Sequence, residues 1–445
     1  MITAHPIAAQ AASRADAIAL IDGAAAITYG QWLAEIQTMA SRIDAHLPRD
    51  GLPIVLPAAS TYETLTTFWA ALMTRHPVAL LSPHLPAEGM QSARDSLIRY
   101  HTMQDKKEFR DHSQSDLDIA EDAPATFIWT SGSAGQPKIV VHTWRQLAAS
   151  AAAMNTHLRA SASDNWLWSL PFFHVSGLGI VLRAALAGGM LLIPPSEMSL
   201  EKKFRRYQPR FASLVAAQLD RLLEVAPETL STCRAILCGG GAFSPALCVR
   251  AAHLPLVMSY GLTETGAAVT ATPPGDMSNS GLALPHARIR TADDGTIEIQ
   301  ADSLMLGYFE CDMVSKSLTA DGWFRTTDLG HLDNKGNLAV IGRSDTIFIS
   351  GGENIDPIEI ETHLKALPHI TDAVVVGVPH PRFGMRPVAF VQTPNLEEEA
   401  LTTALKERLP KFKIPDAFLP MPPLESGQLK PSRAVLAGLV PQHWF

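Results

Sequence analysis

Short apolar runs alternate with amphipathic stretches along most of this chain, and that alternation admits few folds. Gln31–Leu47 places Leu33, Ile36, Ala40 and Ile43 at helical spacing. Pro53–Pro57 and Val78–Leu81 read as short strands on either side of a helix over Thr61–Met73. The alternation resumes at Ala125: Phe127–Trp129, Trp166–Leu170, Met190–Ile193, Ala235–Cys238 and Leu256–Ser259 are strand-like, and Trp144–His157, Val175–Ala187 and Pro245–Ala252 are helix-like. The expected class is α/β, a large N-terminal domain of layered α/β sheets. Residues Met103–Asp122 are polar and read as a surface connection.

From Asn279 to Ser350 the pattern changes to short strands with tight turns at Asp294–Gly295 and Asn334–Lys335–Gly336, a β-rich subdomain. A boundary is expected near Gly342–Asp345. Beyond it a helix (Pro357–Leu367), strands (Ala373–Val378, Pro387–Gln392), a helix (Glu397–Arg408) and a Pro-rich segment (Pro415–Pro423) make a small α+β C-terminal domain. The expected division is 1–343 and 344–445.

A net charge of −8 without a long basic run argues against a nucleic-acid partner. No run of 18 apolar residues is present, so stable membrane insertion is not expected. Met1–Gln10 lacks a basic region followed by an apolar core, so no signal peptide is expected. Cys233, Cys238, Cys248 and Cys311 form no CxxC pair and read as buried thiols of a cytoplasmic protein.

The sharpest local signal is Thr130-Ser131-Gly132-Ser133-Ala134-Gly135-Gln136-Pro137-Lys138, directly after a strand-like run. Gly132 and Gly135 let the backbone turn tightly and aim N–H groups inward. The hydroxyls of Thr130, Ser131 and Ser133 add donors, and Lys138 adds a point charge. Such a loop can wrap a polyphosphate. It is not a Walker A loop, because Lys138 does not directly follow a glycine and no Ser or Thr comes after it. An ordinary Ser/Gly turn stays open on this segment alone.

The segment resembles the signature loop of the adenylate-forming superfamily (acyl-CoA synthetases, luciferases and adenylation domains), with Ala134 where a Thr is usual. Further motifs appear in the superfamily's order. Pro171–Gly177 resembles its second motif, which implies an acyl pocket walled by an aromatic pair beside His174. Cys238–Ala242 resembles its adenine loop, with Gly240, Gly241 and Ala242 against the ring. Ser259-Tyr260-Gly261-Leu262-Thr263-Glu264-Thr265 implies adenine stacking by Tyr260, a phosphate contact from Thr263 and Mg²⁺ at Glu264. Trp323–Gly330 implies ribose binding by Asp328, with Arg343 as the second contact. The resemblance places the interdomain hinge at Asp345 and a thiol-facing loop at Ser350, Gly351 and Gly352. It thus implies ATP, Mg²⁺ and coenzyme A, a small carboxylic acid as substrate, and a mobile C-terminal domain; a homo-oligomer is left open.

The superfamily ends on a lysine near the C-terminus, usually within Gly-Lys. Here Gln428 takes that place in Ser426-Gly427-Gln428-Leu429-Lys430, and Lys430 is assigned the role. Within Val175–Leu186 the polar residues are Ser176 and Arg183, seven apart and so on one helix side. Guanidinium binds carboxylate bidentately, which suggests a second carboxylate on the acid; an Arg that snorkels to the surface is the alternative. His142-Thr143, Trp166–Pro171, Ser176, Arg183 and the short length resemble the compact acid–thiol ligases of menaquinone synthesis. Another aryl- or acyl-CoA synthetase, and a non-catalytic nucleotide-binding homologue, remain as alternatives.

Overall fold

The computed structural model describes residues 2–47, 52–84, 118–130, 138–240, 243, 245–310, 313–344, 346–351, 353–423 and 432–441. Among these, the largest sheet has nine strands in the order Leu282–Ala283, Ala267–Ala271, Leu256–Leu262, Ala235–Cys238, Phe211–Leu214, Asn165–Leu167, Met190–Ile193, Ile18–Asp22 and Ala25–Thr28. Its centre, from Leu256–Leu262 to Ile18–Asp22, is parallel. Period-two alternation explains why it is buried on both faces. Trp166, Leu191, Ile193 and Phe211 point into one core cluster, and Leu167, Leu192, Ala212 and Leu214 into another. A six-stranded sheet containing Ile54–Pro57, Val78–Leu81, Pro124–Thr130 and Lys138–Thr143 shares the first cluster.

Helices fill the space between. Tyr29–His46 starts on a capping box between Thr28 and Gln31, and Trp144–Leu158 on one between Thr143 and Gln146. The first buries Trp32, Ile36, Ala40 and Ile43 along one stripe. Val175–Ala187 ends at Gly188, whose φ of 66° is the left-handed cap that glycine adopts without strain.

The β-rich stretch is a four-stranded antiparallel sheet of Ala287–Thr291, Thr296–Ala301, Phe324–Leu332 and Leu338–Arg343. The C-terminal segment has cores of its own, beneath the hairpin Asp372–His380/Gly384–Gln392. Two strands depart from expectation. Asp118–Ala120, inside the polar connection, pairs antiparallel with Ile2–Ala4. Ala417–Pro420, inside the Pro-rich segment, runs parallel to Gly384–Gln392; as an edge strand it tolerates proline at its end. The strand expected over Trp166–Leu170 stops at Leu167, after which the chain turns toward Pro171. No helix of the described residues is long and apolar enough to cross a membrane.

The approach to helix Val175–Ala187 is tightly packed. A Cβ on Gly177 would lie 2.0 Å from the Pro171 carbonyl oxygen and 2.7 Å from that of Leu170. Gly177→Ala is therefore expected to lower unfolding free energy by about 3 kcal/mol, read from the urea midpoint. An unchanged midpoint would contradict this packing.

Candidate active site

Chain segments from three sheets meet where strands Ala235–Cys238 and Leu256–Leu262 of the nine-stranded sheet end. In open parallel sheets ligands bind beyond such carboxyl ends. The Ser259 hydroxyl donates to the Cys238 carbonyl oxygen (3.1 Å) and so ties the two strand ends together. The next turn passes through Gly240 at φ 80°, against Val215. One residue beyond Ser259, Tyr260 is buried and its hydroxyl donates to Asp328 Oδ2 (2.7 Å). Burial, aided by the Asp328 charge, pushes this phenol well above its ordinary pKa. Asp328 sits opposite Arg343 in the ladder of the four-stranded sheet, and Arg343 Nη1 lies 3.3 Å from Asp328 Oδ1. Arg343 Nη2 also donates to the Thr327 hydroxyl (2.6 Å). Tyr260, Asp328 and Arg343 thus form one node that joins two sheets.

Gly261 lets the chain close tightly here. A Cβ there would lie 1.9 Å from the Ala267 carbonyl oxygen, so only glycine lets the strands close around the turn Thr263–Thr265. The Thr265 hydroxyl accepts from the Leu262 amide (3.0 Å) and donates to the Ala267 carbonyl oxygen (2.8 Å), fixing the turn that presents Thr263 and Glu264. Tyr308 donates its hydroxyl to Glu264 Oε1 (2.7 Å), and the Lys138 ammonium lies 4.7 Å from the Tyr308 ring centre. Beneath the turn is His142, fully buried. Burial pushes its pKa down to about 4, the backbone of Glu264 and Thr263 pulling the other way, so it is neutral at physiological pH.

Thr130 and Lys138 face each other at the ends of two antiparallel strands, so the glycine–hydroxyl loop is the connection of a hairpin. Its residues Ser131, Gly132, Ser133 and Gly135 lie outside the described residues, as do Gly241, Ala242, Asp345, Gly352 and Lys430.

The region expected to take the acid lies on helix Val175–Ala187. His174 occupies its N-cap position with Phe173 beside it, ring centres 4.5 Å apart. The aromatic pair does not act as one wall. Phe172 is fully buried in the core, edge-on to Phe68 (5.3 Å) and Trp168 (5.1 Å). Ser176, in the first turn, is half-buried. Arg183 is 4% exposed, so the snorkelling alternative fails. Its guanidinium lies 5.1 Å from the Trp166 ring centre, and Nη2 donates to the Ser213 hydroxyl (3.2 Å). Nε has no partner, and no carboxylate among the described residues is paired with it. Burial alone pushes its pKa down to about 9, which leaves it charged at neutral pH. A Cβ on Gly179 would lie 3.2 Å from Arg183 Nη1 and 3.8 Å from Ala267 Cβ, so Arg183 neighbours the Glu264 turn.

In the C-terminal segment Ser350 is buried, its hydroxyl accepting from Arg386 Nη1 (3.3 Å). Gly351 in that loop is exposed, at φ 59°, its amide donating to the Phe383 carbonyl oxygen (2.9 Å). Sequence pattern does not reveal Tyr308, Ser213 or the stacking role of Trp166. Trp166 is visible within the Trp166–Pro171 pattern, but no local signal marks the other two.

A family model described as AMP-binding enzyme matches residues 90–309, and one described as AMP-binding enzyme C-terminal domain matches residues 359–426. A 2-succinylbenzoate–CoA ligase of Escherichia coli (strain K12) is 30% identical over 437 residues, 95% of each chain. A relative of that description from Listeria monocytogenes (strain EGD-e) is 33% identical over 69% of this chain and 68% of its own. Among solved structures, an arginine-to-lysine variant of E. coli MenE with bound OSB-AMS has a TM-score of 0.87 at 27% identity, covering 100% of both chains. Bacillus subtilis o-succinylbenzoate CoA synthetase, in complex with the acyl-adenylate intermediate OSB-AMP, has 0.83 at 26% identity, covering 98% of this chain and 96% of that one.

The Tyr260–Asp328 bond links the two sheets through a buried carboxylate. Tyr260→Phe removes that donor and is expected to cost about 2 kcal/mol of stability in urea unfolding. A loss near zero would show that Arg343 alone satisfies Asp328.

Proposed function

The chain belongs to the AMP-binding enzyme family, and from that premise we propose that it is an AMP-forming acid–thiol ligase converting 2-succinylbenzoate to 2-succinylbenzoyl-CoA for menaquinone synthesis. ATP and coenzyme A are its co-substrates and Mg²⁺ its cofactor. One observation carries the choice of acid: Arg183 is a buried cation with no carboxylate of the described residues to neutralise it. Burying such a charge is costly unless a counter-charge arrives. A substrate with two carboxylates supplies one: the first is activated, the second meets Arg183.

Glu264 fits Mg²⁺. Its Oε1 is taken by Tyr308, and a hydrogen-bonded hard carboxylate is the oxygen ligand this ion prefers. Phosphate oxygens and water would complete the shell, since this ion keeps several waters and binds through few carboxylates. When bound, Mg²⁺ supplies a compact positive charge against the phosphate oxygens.

In adenylation a carboxylate oxygen of the acid attacks the α-phosphorus of ATP. The bond from that phosphorus to the bridging oxygen breaks, and pyrophosphate leaves. The Thr130–Lys138 loop and Thr263 hold phosphate oxygens; Tyr260, Asp328 and Arg343 hold the nucleoside; Lys430 faces the reacting phosphate. The work is positioning and neutralisation of charge rather than covalent chemistry. Next the C-terminal domain (344–445) rotates about Asp345, and the loop at Gly351–Gly352 replaces Lys430. The thiolate sulfur of coenzyme A then attacks the acyl carbon and AMP departs. We place the enzyme in the cytoplasm, where these substrates are found.

The direct test is ATP–pyrophosphate exchange with a panel of acids. Exchange with 2-succinylbenzoate and not with benzoate or fatty acids is expected; exchange with monoacids alone contradicts the assignment. Arg183→Met should raise the KM for 2-succinylbenzoate roughly 100-fold, the loss of a charged hydrogen-bonded pair. The same variant should unfold at higher urea concentration than wild type when no substrate is present, because an uncompensated buried charge has been removed. A fall in stability without a change in KM would assign Arg183 to the fold. Lys430→Ala should abolish exchange yet spare thioester formation from supplied acyl-adenylate. Equal loss of both half-reactions would refute its role.

A further inference from the structure

The strand Gly307–Glu310 holds together two parts of the site that come from different sheets. On one side it pairs antiparallel with Lys138–Thr143, Tyr308 opposite Val140 and Phe309 opposite Ile139. On the other, the Met305 amide donates to the Glu264 carbonyl oxygen (2.7 Å), and Tyr308 donates to the Glu264 carboxylate (2.7 Å). Glu264 is thus held at both backbone and side chain by residues 305–308. The Tyr308 ring packs against an apolar cluster of Val140, Leu304, Met305 and Phe324, which limits its freedom. Gly307 permits the geometry, since a Cβ there would lie 2.5 Å from the Ser315 carbonyl oxygen.

Tyr308 therefore acts on two charged groups at once. A phenol donating to one carboxylate oxygen, Oε1, restrains the rotation of the carboxylate and leaves Oε2 outside that bond; O–H···O⁻ bonds are among the strong ones. The face of the same ring holds the Lys138 ammonium at 4.7 Å. We propose that Tyr308 is a positioning residue for adenylation: its hydroxyl aims Glu264 at the metal, and its ring seats Lys138 for the phosphates. This rests on the ligase reading above and adds to it the residue that sets the distance between the two charges.

The test uses the full-length protein with ATP and Mn²⁺, monitored by the electron-paramagnetic signal of free Mn²⁺ in the absence of acid. Tyr308→Phe keeps the ring and its packing. It is expected to weaken Mn²⁺ binding by the enzyme–ATP complex roughly 10-fold, as loss of a hydrogen bond to a metal ligand does. It should also raise the Mg²⁺ concentration needed for half-maximal exchange by the same factor, with the melting temperature near that of wild type. In a Glu264→Gln background the same change should have no further effect on Mn²⁺ binding. Tyr308→Leu, which also removes the ring, should add a rise in the KM for ATP that Tyr308→Phe does not show. Wild-type Mn²⁺ affinity in Tyr308→Phe, or an equal loss in the Glu264→Gln background, overturns the hydroxyl's role. An ATP KM in Tyr308→Leu equal to that in Tyr308→Phe overturns the ring's. Wild-type protein that exchanges with no acid overturns the ligase reading instead, while the Mn²⁺ titration still reads the Tyr308–Glu264 coupling.

Discussion

A guanidinium sealed inside an apolar helix layer, with only a serine hydroxyl and an indole face for company among the described residues, is the constraint around which this site is organised. Arg183 has Ser213 at 3.2 Å and the Trp166 ring at 5.1 Å. Neither carries a charge. Folding therefore leaves a desolvated cation that stability alone would not select, since an apolar side chain of similar volume would pack there at less cost. Such strain is expected where binding needs it. The neighbourhood keeps the charge in place: Gly179 leaves room for Nη1, and the Asn155 amide donates to the Arg183 carbonyl oxygen (2.9 Å).

The side proposed for the nucleotide uses the opposite arrangement, in which both carboxylates are already partnered. Asp328 receives Tyr260 and Arg343, and Glu264 receives Tyr308. These bonds cross between sheets, so the relative placement of the nine-stranded, six-stranded and four-stranded sheets sets the distances among the groups that would hold ATP. A rigid nucleotide cradle beside one uncompensated cation gives a division of labour. On the proposed reading, the cradle would be preorganised for the nucleotide and the cation would select the acid.

Much of this was legible in the sequence, for physical reasons that can be named. Period-two and helical spacing located most elements, because parallel strands covered on both faces and amphipathic helices leave strong local signals. Glycines at 177 and 261 belong to the motifs, but only the packing shows that the backbone there admits no side chain. The features that escaped depend on contacts far apart in the chain. Asp118–Ala120 is a strand only because Ile2–Ala4 lies beside it, and Ala417–Pro420 only because Gly384–Gln392 does. Phe172 and Phe173 look alike in sequence, yet the turn at Pro171 sends one into the core and leaves the other beside His174. Ser350 reads in sequence as facing a thiol, but Arg386, 36 residues away, draws its hydroxyl inward. Tyr308 meets Glu264 across 44 residues, a distance local pattern cannot bridge.

The central claim is that Arg183 waits for a substrate carboxylate. A crystal structure of the protein with a hydrolysis-resistant 2-succinylbenzoyl adenylate tests it most directly. The account predicts the free carboxylate about 2.8 Å from the Arg183 guanidinium, in a charge-assisted pair. A carboxylate turned to solvent, with Arg183 still bonded to Ser213 alone, would contradict it.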